Sequence, residues 1–539
     1  MKRSLPRPCW FVLFLFSGIL SAFAQNQIPR LDQIDVQHYQ FQLALSDATD
    51  EIRGKAEITI KFLQPLASFD LDLVAYRETE ETGMKVEQVR LGEQSLSFEQ
   101  SGEKLTIQLP TAPERDSEHN FSVSYRGIPA DGLIIDANKF GHRTFFGDNW
   151  PNRAHHWLPS VDHPSDKASV EFIVTAPEHY QVIGNGVQVE ETNLLNGLKL
   201  THWREDVPLP TKVMVIGAAD FAVQRAGAVM GIPITSWVYP ENRQAGFFDY
   251  GQALDVLPFF IERVGPYSYS KLANVQSKTR YGGMENASNI FYYENSVNGR
   301  KEQESLITHE IAHQWFGNSA SEGNWHHVWL SEGFATYFTI LYFEYEHSAE
   351  AAREMRREDR DQIINFAASS DSPIIDTRIT DYNDLLNTNS YQKGGWVLHM
   401  LRRKIGDDAF WRGIREYYTT YRNGNALSED LQRIMEKAGG QDLDTFFEQW
   451  LYRPGLPILE VQLTPGSKRN KHELRIRQTQ EGAAFEFPLK IDLYGVDGNS
   501  ETITVDVRKK EESQTIKFKG TIERIEIDPE VDLLVGETP

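Results

Sequence analysis

A chain of 539 residues is too long for one hydrophobic core, so roughly two to four domains are expected. Its 77 acidic against 55 basic residues leave a formal charge of −22, a balance that repels nucleic acid and anionic membrane surfaces. With Cys9 as the one cysteine, no disulfide framework can form.

Residues 1–24 read as a secretory signal peptide. Lys2, Arg3 and Arg7 make a basic start, Trp10 to Leu20 an apolar run, and Ala22-Phe23-Ala24 a small-x-small cleavage site. The apolar run is shorter than the roughly 20 residues that span a bilayer, and no later segment is apolar enough to do so. The mature chain, without its cysteine, is therefore expected to be secreted or periplasmic.

From residue 25 to 228 the chain alternates apolar and polar residues between turn-forming stretches. Tyr39-Gln40-Phe41-Gln42-Leu43, Ala56 to Phe62, Phe69 to Leu73 and Val170 to Val174 carry the period of two that a half-buried strand requires. An N-terminal β-rich domain is predicted. Residues 229–455 change to a helical pattern, as in Ala351 to Phe366 and Gly395 to Tyr418, and predict a mainly α domain. Pro454-Gly455 ends it. Alternation returns at Glu473 to Arg477, Thr502 to Val507, Ile516 to Phe518 and Ile525 to Ile527, so residues 456–539 predict a small β-sandwich. The fold class is a multidomain α+β protein.

The chemistry lies in the middle segment. Gly282-Gly283-Met284-Glu285-Asn286 places adjacent glycines where a backbone can approach a ligand closely, with Glu285 at the edge of that approach. By itself the stretch reads as a turn. His309-Glu310-Ile311-Ala312-His313 follows. Four residues advance a helix by slightly more than one turn, so His309 and His313 share a face and can share a metal. Glu310 sits about 100° round the helix, within reach of a water on that metal but not of the metal. The helix is expected to run from Ser305 to Phe316 and stop at Gly317-Asn318. Eighteen residues after His313, Glu332 offers a third ligand. Two imidazoles, one carboxylate and an open position describe a catalytic zinc site, with one Zn2+ per chain. Nearby, His326 and His327 read as packing residues. A metzincin site is excluded, because Phe316 and Ser319 stand where its glycine and third histidine belong.

Gly282 to Asn286, the run His309-Glu310-x-x-His313-Gln314-Trp315-Phe316-Gly317-Asn318, and Trp329-Leu330-Ser331-Glu332-Gly333-Phe334-Ala335 together resemble the aminopeptidase N and leukotriene epoxide hydrolase family of gluzincins. The resemblance spans about residues 35 to 457. It implies a thermolysin-like catalytic domain and a zinc-dependent aminopeptidase that acts on peptides with a free N-terminus. Glu310 would then activate the zinc-bound water. Tyr391, in Tyr391-Gln392-Lys393-Gly394-Gly395, resembles the family tyrosine that stabilises the oxyanion. Gly282, Gly283, Met284, Glu285 and Asn286 would bind substrate, with Glu285 facing the free amine. The family's further amine-binding Gln or Glu is missing before Pro159-Ser160-Val161-Asp162-His163-Pro164, and Asp148 or Asn149 is the expected substitute. A zinc endopeptidase, or a peptide-binding protein without activity, are the alternative readings.

Overall fold

Inward-facing apolar residues in the first part of the chain line an eight-stranded sheet in the computed structural model, which describes residues 29–537. The signal-peptide reading of residues 1–24 lies outside the described residues. Strand Ile34–Ala44 shows how the pattern works: Ile34 and Val36 are buried, then Tyr39, Phe41 and Leu43. The phase changes because the pairing with Ile52–Phe62 shifts register between Val36 and His38, and a bulge there keeps both sets on one face. The same strand pairs in parallel with Lys167–Pro177. A three-stranded sheet, Ser68–Asp72, Phe98–Ser101 and Lys104–Gln108, covers this face, with the Phe69 and Phe121 rings 4.9 Å apart. A four-stranded sheet, containing Arg143–Gly147, meets the next domain where Phe146 and Phe291 pack edge to face at 5.5 Å.

The middle segment begins with five strands: β1 (Ala222–Val229), β2 (Ile232–Val238), β3 (Leu272–Ser277), β4 (Gly283–Met284) and β5 (Asn289–Tyr293). Their order is β1-β2-β3-β5-β4, which leaves β4 at the edge. The change of pattern at 228–229 puts residues 222–228 of β1 with the N-terminal domain. Its seven residue pairs with β2 place it in this sheet instead. Alternation is a local property and does not say which sheet a strand joins.

Helices cover the sheet: α1 (Arg243–Tyr250), α2 (Ala253–Arg263), α3 (Glu304–His313), α4 (Trp329–Glu346), α5 (Ala349–Ala367), α6 (Gly394–Ile405), α7 (Asp407–Tyr421) and α8 (Ser428–Gly439). Two helices matter most for the site. α3 and α4 run antiparallel: His313 at one end lies beside Glu332, and Glu304 at the other meets the Tyr342 hydroxyl at 3.4 Å and the His347 ring at 3.1 Å. α4 also crosses α6 at close range. A methyl group on Gly333 would stand 2.8 Å from the Gly394 carbonyl carbon, so only glycine lets the two backbones approach this far.

The C-terminal residues form two sheets, Ile458–Pro465, Lys471–Gln478, Glu511–Lys517 and Gly536–Glu537 against Phe487–Gly495, Ser500–Val507 and Ile522–Ile527. Leu474, Ile476, Leu489, Ile491, Leu493 and Val507 fill the space between them. Arg356 and Arg360 of α5 tie this sandwich to the helices through the Val531 carbonyl at 3.1 Å and the Asp528 carboxylate at 3.1 Å. On the other side, Lys212 and Glu322 form a buried pair at 2.6 Å between the N-terminal domain and the middle segment. Among the described residues, no helix is long and apolar enough to cross a membrane.

Candidate metal centre and active site

α3 closes at His313, three residues earlier than the apolar pattern suggests, and the chain turns through Gly317 at φ 117°. This turn brings the Phe316 carbonyl 3.1 Å and the Ser331 hydroxyl 3.0 Å from His313 Nδ1. The carbonyl can only accept, so Nδ1 carries the proton and Nε2 is left with its lone pair facing the cavity. A methyl at Gly317 would collide with Ser331 Oγ at 2.2 Å.

The three expected ligands converge. His309 Nε2 and His313 Nε2 are 3.1 Å apart, and Glu332 Oε2 stands 3.5 Å from the first and 3.2 Å from the second. A tetrahedral ion with bonds of about 2.0–2.1 Å holds its ligand atoms about 3.3 Å apart, so this donor set fits zinc in both chemistry and spacing. The electrostatics agree. Burial lowers the His309 imidazole and keeps it neutral. Burial would lower His313 too, but Glu332 and Glu285 raise it to about 10: the pocket favours positive charge at that nitrogen, which a proton or a divalent ion supplies in turn. Against the burial that would raise it, His313 and His309 hold the Glu332 carboxyl well below its usual range.

Glu310, from the next position on α3, is buried, and burial together with Glu285 and Glu332 holds its carboxyl well above the ordinary range. Gly283 of β4 passes directly over it: a methyl there would lie 2.3 Å from Glu310 Oε1. β4 pairs with β5 on one side through Gly283–Tyr292 and Met284–Phe291, and its other edge faces the cavity. The strand is pinned to the metal helix from behind, since Gln314 and Asn318 side-chain amides donate to the Glu285 carbonyl at 2.7 and 2.6 Å. Both residues belong to the run after His313, but neither was assigned a role from sequence, because a link to a backbone carbonyl across chain space leaves no spacing pattern.

Gly282, Gly283, Met284, Glu285, His309, Glu310, His313, Glu332 and Tyr391 all line one cavity of about 600 Å³. Glu285 Oε1 is buried there without a hydrogen-bond partner among the described residues. Tyr391 enters from a π-helical turn, Asn389–Lys393, that leads into α6; its ring stacks 6.0 Å from that of His309. Burial and then Glu332, Glu285 and Glu310 push its phenol well above the usual value, so it remains a proton donor at neutral pH.

Three expected contacts fall elsewhere. Asn286 is buried outside the cavity lining, and its carbonyl accepts from the Asn289 amide at 2.9 Å to close the turn between β4 and β5. Asp148 pairs with Arg153 at 2.6 Å and accepts from the Arg280 amide at 3.1 Å. Asn149 donates to the Thr211 and Met214 carbonyls at 3.1 and 2.7 Å and accepts from the Trp157 indole at 2.8 Å. A buried loop must satisfy its backbone with such side chains, and that requirement holds both residues away from the cavity. Their neighbour Trp150 lines it instead. His326 and His327 also keep their distance, bonded to Asn324 and Ser428 at 2.9 Å each.

Two family models match the chain, the peptidase M1 N-terminal domain over residues 35–213 and the peptidase family M1 domain over residues 248–450. Glutamyl aminopeptidase of Rattus norvegicus is 25% identical over 389 residues, covering 68% of this chain and 41% of its own length. Probable aminopeptidase 1 of Sulfurisphaera tokodaii is 23% identical over 485 residues, covering 84% of this chain and 58% of its own. The chain thus spans about half the length of these curated relatives. The M1 zinc metallopeptidase of Deinococcus radiodurans shares the fold at a TM-score of 0.68 and 23% identity, over 78% of this chain and 94% of that one.

Proposed function

Because the chain belongs to peptidase family M1, we propose that it is a zinc-dependent aminopeptidase, releasing residues one at a time from peptides with a free N-terminus. The observation that carries this reading is Glu285, whose buried and unpartnered carboxylate oxygen stands beside the metal ligands at the end of edge strand β4. A free α-amine, with a pKa near 7.7–8.0, is largely protonated at neutral pH and gains charge-assisted hydrogen bonds from such a carboxylate.

Zinc held by His309, His313 and Glu332 would supply Lewis acidity, polarising the scissile carbonyl and acidifying water. The chain's own residues do the rest. β4 lays the substrate backbone along its free edge as an added strand. Glu310, held in the cavity beneath Gly283 and next to the ligands of α3, accepts the proton of the attacking water and returns it to the leaving nitrogen. Tyr391 donates its hydroxyl hydrogen where negative charge develops on the carbonyl oxygen. Glu285 fixes the ammonium and so sets the register at one residue. The pattern of residues 1–24 supports action in a periplasm or outside the cell.

The test compares free and N-acetylated peptides by mass spectrometry, with and without a chelator. Free peptides should lose single residues in sequence, and acetylated ones should resist. Internal cleavage of blocked peptides at comparable rates would make the protein an endopeptidase, and tight binding without turnover would make it a peptide-binding protein.

A further inference from the structure

The cavity is longer than one residue needs, and its two ends differ. β4 and its flanks run along α3 in a fixed direction: Gly282 lies near Leu306 (a methyl there would come within 3.7 Å of the leucine), Gly283 over Glu310, and the Glu285 carbonyl on Gln314. The amine end of the substrate is therefore at the C-terminal end of α3. The leaving part of the peptide points toward Leu306, where the antiparallel α4 contributes Thr336, Thr339 and Ile340. Ile340 is eight residues beyond the ligand Glu332, about 12 Å along the helix axis.

α5 adds Met355 and Asp359 to the cavity lining, one helical turn apart. Asp359 is out of place by pattern. It continues the inward row of Ala352, Arg356 and Ile363, all buried, where an apolar residue is expected. No ion pair or hydrogen bond reaches its carboxylate among the described residues. The arginines of the same helix are engaged elsewhere: Arg353 with Glu350 and Glu530, Arg356 with the Val531 carbonyl, Arg357 with Glu354, and Arg360 with Asp528. Burial and the neighbouring Glu358 push the Asp359 carboxyl up to about 7, so its ionised form lacks a cation to balance it.

We propose that Asp359, with Leu306, Ile340 and Met355, forms a subsite for a lysine or arginine side chain in the leaving part of the peptide, at the second or third residue of the substrate. Such side chains carry an aliphatic stem that packs on apolar walls and a charged tip that needs a carboxylate, and the lining offers both. This inference rests on the aminopeptidase reading above and adds the substrate class.

The test uses alanyl tetrapeptides with lysine or norleucine at the second or the third position. Norleucine keeps the stem and removes the charge. A charge-assisted contact at a half-buried site is expected to favour lysine by roughly ten- to a hundred-fold in kcat/KM at one of the two positions. Asp359→Asn should bring that ratio close to one, and Asp359→Lys should invert it in favour of norleucine. A wild-type ratio near one at both positions, or a ratio that survives Asp359→Asn in a variant with normal thermal unfolding, overturns the proposal. If no tetrapeptide is hydrolysed, the aminopeptidase reading fails on its own. The subsite is then judged by calorimetric binding of the same peptides to Glu310→Gln, where equal affinities for lysine and norleucine overturn it.

Discussion

Gly283 and Glu310 show how far a single atom decides this site. The absent methyl on Gly283 is the space that the Glu310 carboxylate occupies, so Gly283→Ala should displace the base without touching a metal ligand. A misplacement of this order costs about 100-fold in turnover, with zinc content unchanged by elemental analysis. Loss of zinc along with activity would assign the glycine to folding of the metal site instead. The ligands behave in the opposite way. His313→Ala and Glu332→Ala should lose zinc, whereas Glu310→Gln should keep it and fall roughly 100- to 10,000-fold in rate. The convergence of His309 and His313 was legible in the sequence because helical geometry converts a spacing of four into one face. Asp148 and Asn149 lie off the cavity lining, which their sequence does not reveal, because nothing in a loop's sequence tells a buried side chain that satisfies backbone from one that meets a ligand.

At the scale of elements, the site depends on α4 lying close to α6. Glu332 and Tyr391 come from segments about sixty residues apart, and the contact between Gly333 and Gly394 sets their separation. Gly333→Val should force the helices apart at a cost of about 1–3 kcal/mol, seen as a lower Tm, and, with Tyr391 in the oxyanion role proposed above, should reduce kcat more than KM. Unchanged kcat in a destabilised variant would separate the helix contact from the chemistry. Periodicity made these helices and most strands readable in advance. It could not place Ala222–Val229 in the catalytic sheet or reveal that α3 and α4 are antiparallel, because partners distant in the chain leave no trace in local alternation. Asp359 was hidden for the same reason: its meaning comes from facing a cavity that α3 and α4 build.

Across the whole molecule, Lys212 and Glu322 join the N-terminal domain to the short strand Ala320–Glu322 that follows α3, at 1% and 0% exposure. Breaking one partner of a pair this deep leaves an uncompensated charge, and Glu322→Gln should cost about 3–5 kcal/mol in urea unfolding. The double change Lys212→Met with Glu322→Leu should cost less than the single one. If it costs more, the pair is stabilising in its own right. The three-part division was legible from composition and alternation, whereas the ion pair that locks two of the parts was not. The edge of β4 has a consequence for what the protein would consume. A strand open on one side admits only extended backbone, so a terminus already folded into a helix or hairpin must first come undone. When that opening is fast, the rate is the intrinsic rate multiplied by the fraction open, and each 1.4 kcal/mol of local stability slows trimming about tenfold. The protein would in effect read the stability of its substrates, stripping frayed chains and leaving well-folded ones intact.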